Sequence, residues 1–355
     1  MHQLRAAPPR RAPRRVPVPV ALVVLVPAIL VTAVVSTGFG AEPLPVGVVV
    51  EALAARFGDG PRDPAYDAIV WELRLPRTLL GFVVGAGLAV AGAGIQTLVR
   101  NPLADPYLLG VSSGASVGAT AVITLGVLSG AGTWALSVGA LLGALAASAI
   151  VFGIALLQGG LTPLRLVLTG TVLSAAFSSI ASFMVFKSSE PQAAQSVLFW
   201  LLGSLSGTTW AQLWLPLVTV VACFALLMSA SGWLDALAVG PETAAALGVP
   251  VPALRIALFV LLSVLVGVLV AVAGGIGFVG LVLPHLSRLL VGPRHRASLP
   301  VAALAGGLFL VWVDVITRVA VRPTEIPLSV VTGLIGAPIF LLLLGRRAYR
   351  FGGES

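Results

Sequence analysis

The sequence predicts an all-α polytopic membrane protein with about ten transmembrane helices. Of its 355 residues, 58% are hydrophobic and only 10% are charged, and the mean hydropathy is +1.06. The stretches 106–164 and 191–234 contain no Asp, Glu, Lys or Arg. A helix needs only about 20 apolar residues to cross the hydrocarbon of a bilayer. The 40 glycines fit this class, because small residues let membrane helices approach closely.

Apolar segments separated by breakers such as SGAGT and QGGLTP are the predicted spans. They are 16–40, 78–99, 107–127, 134–157, 166–186, 212–228, 256–272, 276–291, 299–319 and 326–344. The first follows an arginine-rich stretch, but it is longer than the core of a secretory signal, which favours a retained anchor. The apolar segment 191–207 is too short to span comfortably, so we expect a re-entrant or interfacial helix there.

The distribution of Lys and Arg sets the predicted orientation. With the N-terminus in the cytoplasm, fourteen of the 21 basic residues lie inside and seven lie outside, as the positive-inside rule prefers. Both termini are therefore predicted to be cytoplasmic, with a basic tail 1–15, a transmembrane domain 16–345 and a C-terminal tail 346–355. The longest polar connection, 41–72, lies outside, and GVVVEALAARFG within it has helical spacing.

Several classes of chemistry are excluded. A phosphate-binding loop needs a lysine in a glycine-rich motif, and the only lysine, Lys187, is not in one. The histidines are His2, His285 and His295, without companion ligands at metal-binding spacing, so no metal site is predicted. Nothing places His285 beside an activated serine. The net charge of +8 comes from basic residues at segment ends rather than from a face that binds nucleic acid.

The motif LRLPR (73–77) stands at the outer mouth of the second span. Arg74 and Arg77 are three residues apart, which puts them on one face of a helix. Arginines at span ends commonly snorkel to the interface, but two on the outer side run against the positive-inside bias. An interfacial anchor and a docking site for an acidic partner both stay open.

The segment GPETAAALGVP (240–250) predicts a two-turn cytoplasmic helix between the sixth and seventh spans. Pro241 suits the first turn, Glu242 favours the positive helix end, Gly248 fits the position after the helix, and Pro250 prevents continuation. Spacing alone favours a linker helix. A short helix held rigidly between two spans could also transmit motion from a cytoplasmic partner.

Polar side chains also occur in or near two spans. The fifth span carries a row of hydroxyls on one helical face: Thr171, Ser174, Ser178 and Ser182. This row serves either tight helix packing or the wall of a wet pathway, and neither is favoured. Near the inner end of the eighth span, His285 and Arg288 are interpreted as an anchoring pair in preference to a substrate ligand.

The stretch NPLADPYLLG (101–110) interrupts two apolar segments on the predicted inner side. Pro102 and Pro106 stop one helix and re-aim the next. Asn101 and Asp105 can bind the backbone groups that are freed there. Asp105 is therefore interpreted as a structural cap and not as a metal ligand.

Three long runs resemble the FecCD/BtuC-type permeases of bacterial ABC importers for iron–siderophores, haem and cobalamin. They are LRLPRTLLGFVVGAGLAVAGAGIQTLVRNPLADPYLLGVSSGAS (73–116), GIGFVGLVLPHLSRLLVGPRHR (275–296) and TEIPLSVVTGLIGAPIFLLLL (324–344). The likeness covers nearly all of the chain beyond the N-terminal tail. It implies a type II ABC importer permease fold that works as a permease dimer, with two cytoplasmic ATPase subunits and an extracytoplasmic binding protein.

The resemblance also implies roles for individual residues. Those expected to pair with glutamates of the binding protein are Arg74, Arg77 and Arg318. Those expected to couple the chain to the ATPase, within 231–250, are Pro241, Glu242, Thr243, Ala244, Leu247 and Gly248. Those expected at the cytoplasmic gate are Asn101, Pro102, Leu103 and Thr162. After Thr162 the chain has Pro163, where a small hydroxyl residue is more usual in the family.

The predicted function is that of a permease subunit of an ATP-driven importer in the bacterial inner (plasma) membrane. Its expected cargo is a metal chelate, with ferric siderophore ranked ahead of haem and cobalamin. The chain itself is expected to bind no cofactor, while ATP and Mg bind the partner subunit. Whether the permease dimer is a homodimer or a heterodimer stays open. The alternative from another class is a proton-coupled secondary transporter, with Asp314 or His285 as its relay.

Overall fold

The computed structural model describes residues 15–56 and 63–345. The predicted tails at 1–15, apart from Arg15, and at 346–355 lie outside these ranges. Every regular element in the described ranges is helical. The α-helices, labelled in chain order, are α1 (Val18–Gly38), α2 (Val46–Ala55), α3 (Pro64–Asp67), α4 (Leu75–Leu98), α5 (Val111–Leu125), α6 (Ala135–Leu157), α7 (Pro163–Lys187), α8 (Ala193–Leu201), α9 (Trp210–Ser229), α10 (Ser231–Val239), α11 (Pro241–Ala246), α12 (Val251–Ala273), α13 (Val279–Val291), α14 (His295–Val319) and α15 (Leu328–Gly345).

The ten predicted spans each overlap one helix. In chain order these are α1, α4, α5, α6, α7, α9, α12, α13, α14 and α15. Seven of these helices are long and apolar enough to cross a bilayer, whereas α5, α13 and the apolar part of α15 are shorter. Both α5 and α13 begin later than predicted, because Gly110 (φ 75°) and Phe278 (φ 68°) adopt left-handed backbone just before them. The all-α polytopic fold class is confirmed.

Short helices occupy the connections in which they were expected. The loop 41–72 contains α2, and the apolar segment 191–207 contains α8. A π-helical stretch (Ala68–Arg74) joins α3 to α4 without a break. In the segment 231–250, only Gly240 separates α10 from α11, which Pro241 opens.

The core is built around α4, which is buried along almost its whole length. It packs antiparallel to α14 through two glycines. A Cβ atom on Gly85 would lie 2.3 Å from the carbonyl oxygen of Gly306, and one on Gly306 would lie 2.5 Å from that of Gly85. Backbones this close leave no room for a side chain, so glycine is required at both positions. A similar contact joins α5 to α6 at Gly118 and Gly139.

In contrast, α7 is exposed along most of its length within the single chain. Its buried residues are Leu166, Thr169, Gly170 and Ala181. Phe186, one of several uncovered apolar side chains on this helix, is 84% exposed. Lipid or another protein chain must therefore cover α7.

Candidate functional site

Four charged side chains on the predicted outer side form what we call the outer cluster: Arg77, Asp314, Arg318 and Glu325. Arg77 lies in the first turn of α4, and its Nη2 donates to Asp314 Oδ1 of α14 at 2.8 Å. The same guanidinium binds Glu325 in a bidentate arrangement, with Nη1–Oε1 and Nη2–Oε2 distances of 2.8 Å. Arg77 therefore joins the start of α4 to the end of α14 and to the segment before α15.

Arg318 completes the outer cluster from α14. Its Nη2 lies 3.1 Å from Asp314 Oδ2, and its Nη1 donates to the carbonyl oxygen of Phe39 at 2.7 Å. Arg77, Asp314 and Arg318 are only 9%, 1% and 5% exposed. Because two guanidinium groups face two carboxylates, the charges balance, and buried ionised groups require such pairing.

Arg74 stands outside this network. Its Nη1 donates to the carbonyl oxygens of Thr37 at 2.9 Å and Gly38 at 3.1 Å, and its Nη2 donates to the carbonyl oxygen of Glu42. These acceptors lie at or just beyond the C-terminus of α1, where helix carbonyls lack intrahelical partners. Arg74, which is half-buried, therefore caps α1.

The three arginines with an expected docking role thus have different surroundings, which their spacing did not indicate. Arg77 and Arg318 are already bound by carboxylates of the same chain, in addition to the external partners that the family resemblance implies. The side chain of Glu325 is 38% exposed and lines a cavity of about 320 Å³ beside Phe199. Docking at these arginines stays a prediction, and Glu325 is the member of the cluster that a partner can reach.

On the predicted inner side, the loop after α4 contains the capped turns that the sequence predicts. Asn101 Oδ1 accepts a hydrogen bond from Leu103 N at 2.9 Å, and Asp105 Oδ1 accepts one from Tyr107 N at 2.9 Å. The second bond starts a short 3₁₀ helix (Pro106–Leu109). Asn101 is exposed and Leu103 is half-buried, so this segment can contact an open space on the inner side.

Asp105 is a cap whose titration is perturbed. Burial raises the pKa of its carboxyl group to about 6, and the hydrogen bond from Tyr107 N opposes this rise only in part. Within residues 15–56 and 63–345, no group of three or more His, Cys, Asp or Glu side chains is placed to hold a metal ion. The geometry of Asp105 is that of a turn-forming residue.

Thr162 occupies the N-cap position of α7. Its Oγ1 accepts a hydrogen bond from Arg165 N at 3.4 Å. Pro163 takes the first helical position, where the missing N–H group costs nothing. The proline in place of a hydroxyl residue therefore starts a helix at this point, and the gate role of Thr162 stays a prediction.

The predicted coupling helix is present as α11. Ala244 is fully buried and fixes the helix to the chain, whereas Glu242 and Thr243 are exposed. Leu247 directly after the helix is 70% exposed, and Gly248 with φ 81° turns the chain away. An exposed leucine beside polar residues on a fixed helix is suited to contact with another protein.

The hydroxyl row of the fifth predicted span lies on α7, and its members differ. Ser174 accepts a hydrogen bond from Ser113 Oγ of α5 at 3.2 Å. Thr171, Ser178 and Ser182 are exposed and face away from the core of the chain. Ser174 therefore packs against α5, and a pathway role for the other three stays a prediction.

Arg288 on α13 contacts α4 and also lines a cavity on the predicted inner side. Its Nη2 donates to Gln96 Oε1 of α4. The Nε2 atom of Gln96 in turn donates to the carbonyl oxygen of Leu281 at 3.3 Å. His285 on the same helix is 7% exposed. The anchoring role of His285 and Arg288 stays a prediction.

Known families and proteins give this arrangement a context. The model of the FecCD transport family matches residues 28–346. The cobalamin import system permease protein BtuC of Halobacterium salinarum is 40% identical over 311 residues, which cover 88% of this chain and 82% of the relative. The vitamin B12 import system permease protein BtuC of Klebsiella pneumoniae is 39% identical over 321 residues, which cover 90% of this chain and 91% of the relative. The molybdate import system permease protein MolB of Haemophilus influenzae is 36% identical over 316 residues, which cover 89% of this chain and 92% of the relative.

Among solved structures, the chain is similar to an ABC transporter described as metal-chelate type in an inward-facing conformation. The TM-score is 0.82 at 35% sequence identity, and the match covers 93% of this chain and 100% of the other. This agreement confirms the type II ABC importer permease fold.

Proposed function

The chain belongs to the FecCD transport family, and from this premise we propose that it forms the translocation pathway for an organic metal chelate. It is a multi-pass permease subunit of an ABC importer in the inner membrane. It is not an enzyme, since ATP hydrolysis in this family belongs to separate subunits. The observation that carries the cargo proposal is the exposed, uncharged face of α7.

The exposed face of α7 suits a cargo that needs few strong contacts. Residues 166–186 include no charged side chain, and Thr171, Ser178 and Ser182 offer only hydroxyls. A bare oxyanion requires cations or several N–H donors to replace its water shell. A chelate holds its metal inside an organic shell, and neutral hydroxyl and apolar groups suffice to let it pass. We therefore rank a chelate ahead of molybdate, although one relative is named for molybdate import.

Two chelates are the leading candidates for the cargo. Ferric siderophore is ranked first, because the runs 73–116, 275–296 and 324–344 resemble permeases whose cargoes include iron–siderophores. Cobalamin is the second, supported by relatives named for cobalamin or vitamin B12 import at 39% and 40% identity. The test is ATP-dependent uptake into liposomes that contain the permease, its ATPase subunits and its binding protein. Radiolabelled ferric siderophore, cobalamin, haem and molybdate are offered separately. Uptake of molybdate alone would contradict the proposal.

A second permease chain is proposed to face the exposed side of α7, so that the pathway runs between the two chains. Single cysteines at Val172 or Ser178, in a Cys223→Ala background, should crosslink between two chains. Val23 of α1 is 72% exposed and belongs to a peripheral helix, so Val23→Cys is the matched control expected to face lipid. Equal crosslinking at Val23 and Ser178 would count against this arrangement. The assembly of a tagged with an untagged copy then distinguishes a homodimer from a heterodimer.

The outer cluster supports docking of an acidic binding protein. Arg77 already holds a carboxylate in bidentate geometry, and Glu325 is exposed enough to be replaced by a carboxylate of the partner. Arg74→Glu, outside the buried network, should weaken association with the loaded binding protein about tenfold, and adding Arg77→Glu should weaken it further. Arg56→Glu, at the exposed C-terminal end of α2, is the control. Unchanged association of a folded Arg74→Glu, Arg77→Glu variant would refute the docking role.

The coupling helices α10 and α11 are proposed to bind the cytoplasmic ATPase subunits. The exposed residues Glu242, Thr243 and Leu247 form the contact surface. A cysteine at Thr243 should crosslink to a cysteine on the ATPase subunit and should react only with reagents on the cytoplasmic side. Val218→Cys, on α9 and 62% exposed, is the control. Labelling of Thr243→Cys from the outer side would reverse the proposed topology, including that of both termini.

A proton-driven transporter that acts alone is the weaker candidate. Asp314, which it would use as a relay, is 1% exposed and bonded to two arginines. Such surroundings suit a structural ion pair better than a group that must exchange protons with water. Uptake by the permease without any ATPase, driven by a pH gradient, would restore this candidate.

A further inference from the structure

Three side chains on the predicted inner side form what we call the inner relay: Asp235 of α10, His295 of α14 and Thr97 of α4. His295 Nδ1 lies 2.6 Å from Asp235 Oδ1, and His295 Nε2 lies 2.8 Å from Thr97 Oγ1. Asp235 Oδ1 also accepts a hydrogen bond from His295 N at 2.8 Å, so it caps the start of α14. His295 and Thr97 are each 5% exposed.

The inner relay lies between two parts that are expected to move together. Asp235 belongs to α10, which Gly240 alone separates from α11. Thr97 lies next to the last residue of α4 and four residues before Asn101, where the predicted gate segment begins. His295 therefore bonds both to the coupling helices and to the helix that ends in the gate.

The inner relay lies beside open space, across which close packing cannot transmit movement, so its hydrogen bonds matter more. A cavity of about 200 Å³ is lined by Thr97, His295, Pro102 of the gate segment and Ala238 of α10. Side chains that face each other across a cavity cannot push on one another, because close packing is what transmits displacement. Arg100 reaches across to α10, but its Nη2 atom is exposed and 3.5 Å from the carbonyl oxygen that it contacts. The inner relay is the shorter and more buried of these two polar links, and it acts beside the direct packing of α10 on α4 and α14.

The hydrogen atoms of the relay allow it to persist in two protonation states. Because Asp235 accepts, Nδ1 of His295 carries a hydrogen atom. The hydroxyl of Thr97 has one hydrogen and two acceptors within reach, the carbonyl oxygen of Ala93 at 2.9 Å and His295 Nε2 at 2.8 Å. Thr97 donates to a neutral His295, or a doubly protonated His295 donates to Thr97, which then donates to Ala93. Both states keep the link, so it acts mechanically and not as a pH switch.

We propose that Asp235, His295 and Thr97 transmit movement of the coupling helices to the inner end of α4 and thus to the gate segment. The inference rests on the proposed function, because it requires an ATPase that acts on α11. When α11 moves, Asp235 moves with it and displaces the start of α14 and the end of α4 through His295. The three are positioning residues, since none of them touches cargo or nucleotide.

The test compares gate opening in matched variants of the complete complex with its ATPase subunits in liposomes. Leu103→Cys in a Cys223→Ala background reports gate access through its labelling rate with an impermeant maleimide, before and after ATP with vanadate. Thr97→Val removes the hydroxyl but keeps the side-chain shape, and Thr97→Ser keeps the hydroxyl. We expect the ATP-driven change in labelling rate to be roughly three- to tenfold smaller in Thr97→Val, the range of a lost buried hydrogen bond. Thr332→Val is the control, because its hydroxyl is equally buried but bonds within α15.

A second readout separates positioning from a merely structural role. Cargo taken up per ATP hydrolysed should fall in Thr97→Val and recover in Thr97→Ser, while the basal ATPase rate stays within twofold of the parent. If Thr97→Val does not assemble, Asp235→Ala provides the same readouts, since it removes the carboxylate oxygen that accepts the hydrogen bond from His295 Nδ1. An equal gate response in variant and parent overturns the inference. A parent complex that shows no response to ATP overturns the proposed function instead.

Discussion

The two ends of the α4–α14 pair are joined in different ways. At the outer end, Arg77 binds Asp314 and Glu325, and Arg318 binds Asp314 from the other side. At the inner end, a single histidine connects the two helices through Thr97. Between them lies the close contact of Gly85 with Gly306. Both ends are thus linked, but one by buried opposite charges and the other by a short chain of hydrogen bonds.

This difference indicates which end of the pair is rigid. Breaking a buried ion pair leaves uncompensated charge and costs about 3–5 kcal/mol, whereas a hydrogen bond contributes about 0.5–1.5 kcal/mol, somewhat more if charged. The outer cluster therefore holds the helices in one arrangement, and the inner relay can adjust at lower cost. If the helices rock against each other, the glycine contact is the natural pivot.

The largest effect is expected from Asp314→Asn in the outer cluster. The change removes the carboxylate that Arg77 and Arg318 share, and both arginines are at least nine-tenths buried. The free energy of unfolding should fall by about 3–5 kcal/mol, measured by thermal unfolding in detergent. Glu51→Gln, exposed on α2, is the control and should change stability by less than about 0.5 kcal/mol. Equal stability of the two variants would mean that the outer end is no more rigid than the inner end.

The next effect tests the pivot between the two ends. Gly85→Ala places a Cβ atom 2.3 Å from the carbonyl oxygen of Gly306, so the helices must separate. We expect a loss of about 1–3 kcal/mol in unfolding free energy, as for other overpacked cores. Gly153→Ala on α6 is the matched control, since a Cβ there meets nothing within 4 Å. A Gly85→Ala variant as stable as Gly153→Ala would show that the helices do not need this close approach.

A smaller effect depends on pH and distinguishes Asp105 from Asp235, two acidic residues on the predicted inner side. Burial raises the pKa of Asp105 to about 6 from its ordinary 3.8. Its contribution to stability is therefore complete below about pH 4 and is lost as the pH rises through 6. This should lower the unfolding free energy by about 1–2 kcal/mol between pH 4 and 7. Asp105→Asn should remove this slope and keep the cap, which unfolding curves across that pH range would measure.

Asp235 in the inner relay should behave in the opposite sense. Burial raises the pKa of Asp235, but the hydrogen bonds from His295 and the charge interactions with His295 and Arg294 together outweigh burial and leave its pKa below the ordinary value. Its contribution is present above about pH 4 and is lost only as the pH falls through its lowered pKa. Asp235→Asn should therefore leave the slope between pH 4 and 7 unchanged. A slope that disappears in Asp235→Asn and persists in Asp105→Asn would contradict both assignments.

The helices of this fold were predictable because a bilayer imposes length and apolarity on each span. Breakers and caps gave most helix ends correctly, including Pro241 at the start of α11 and Gly248 after it. The starts of α5 and α13 were predicted too early, and those of α12 and α14 were predicted too late by five and four residues. A bulky residue such as Phe278 rarely adopts positive φ, so its type gives no sign of the left-handed turn there.

The side-chain contacts at the two ends of the α4–α14 pair were much harder to predict from the sequence. Arg77 and its partners Asp314 and Glu325 are separated by 237 and 248 residues, and no local spacing connects them. The spacing of Arg74 and Arg77 suggested a shared face, yet Arg74 caps α1 while Arg77 binds α14. Such pairings arise from tertiary packing. Only the i, i+4 relation of Asp314 with Arg318 was visible in the chain.

The smallest effect on stability, and the most informative for docking, is expected from Glu325→Gln. Its side chain is 38% exposed, and Arg77 keeps its bonds to Asp314, so the variant should lose less than about 1 kcal/mol. If a carboxylate of the binding protein takes the place of Glu325 on Arg77, removing this competitor should tighten association by a few fold. Surface plasmon resonance with the loaded binding protein measures this, and Glu51→Gln, exposed on α2 on the same predicted side, is the control. A clear loss of thermal stability with unchanged association would instead make Glu325 a structural member of the outer cluster, as fixed as Asp314.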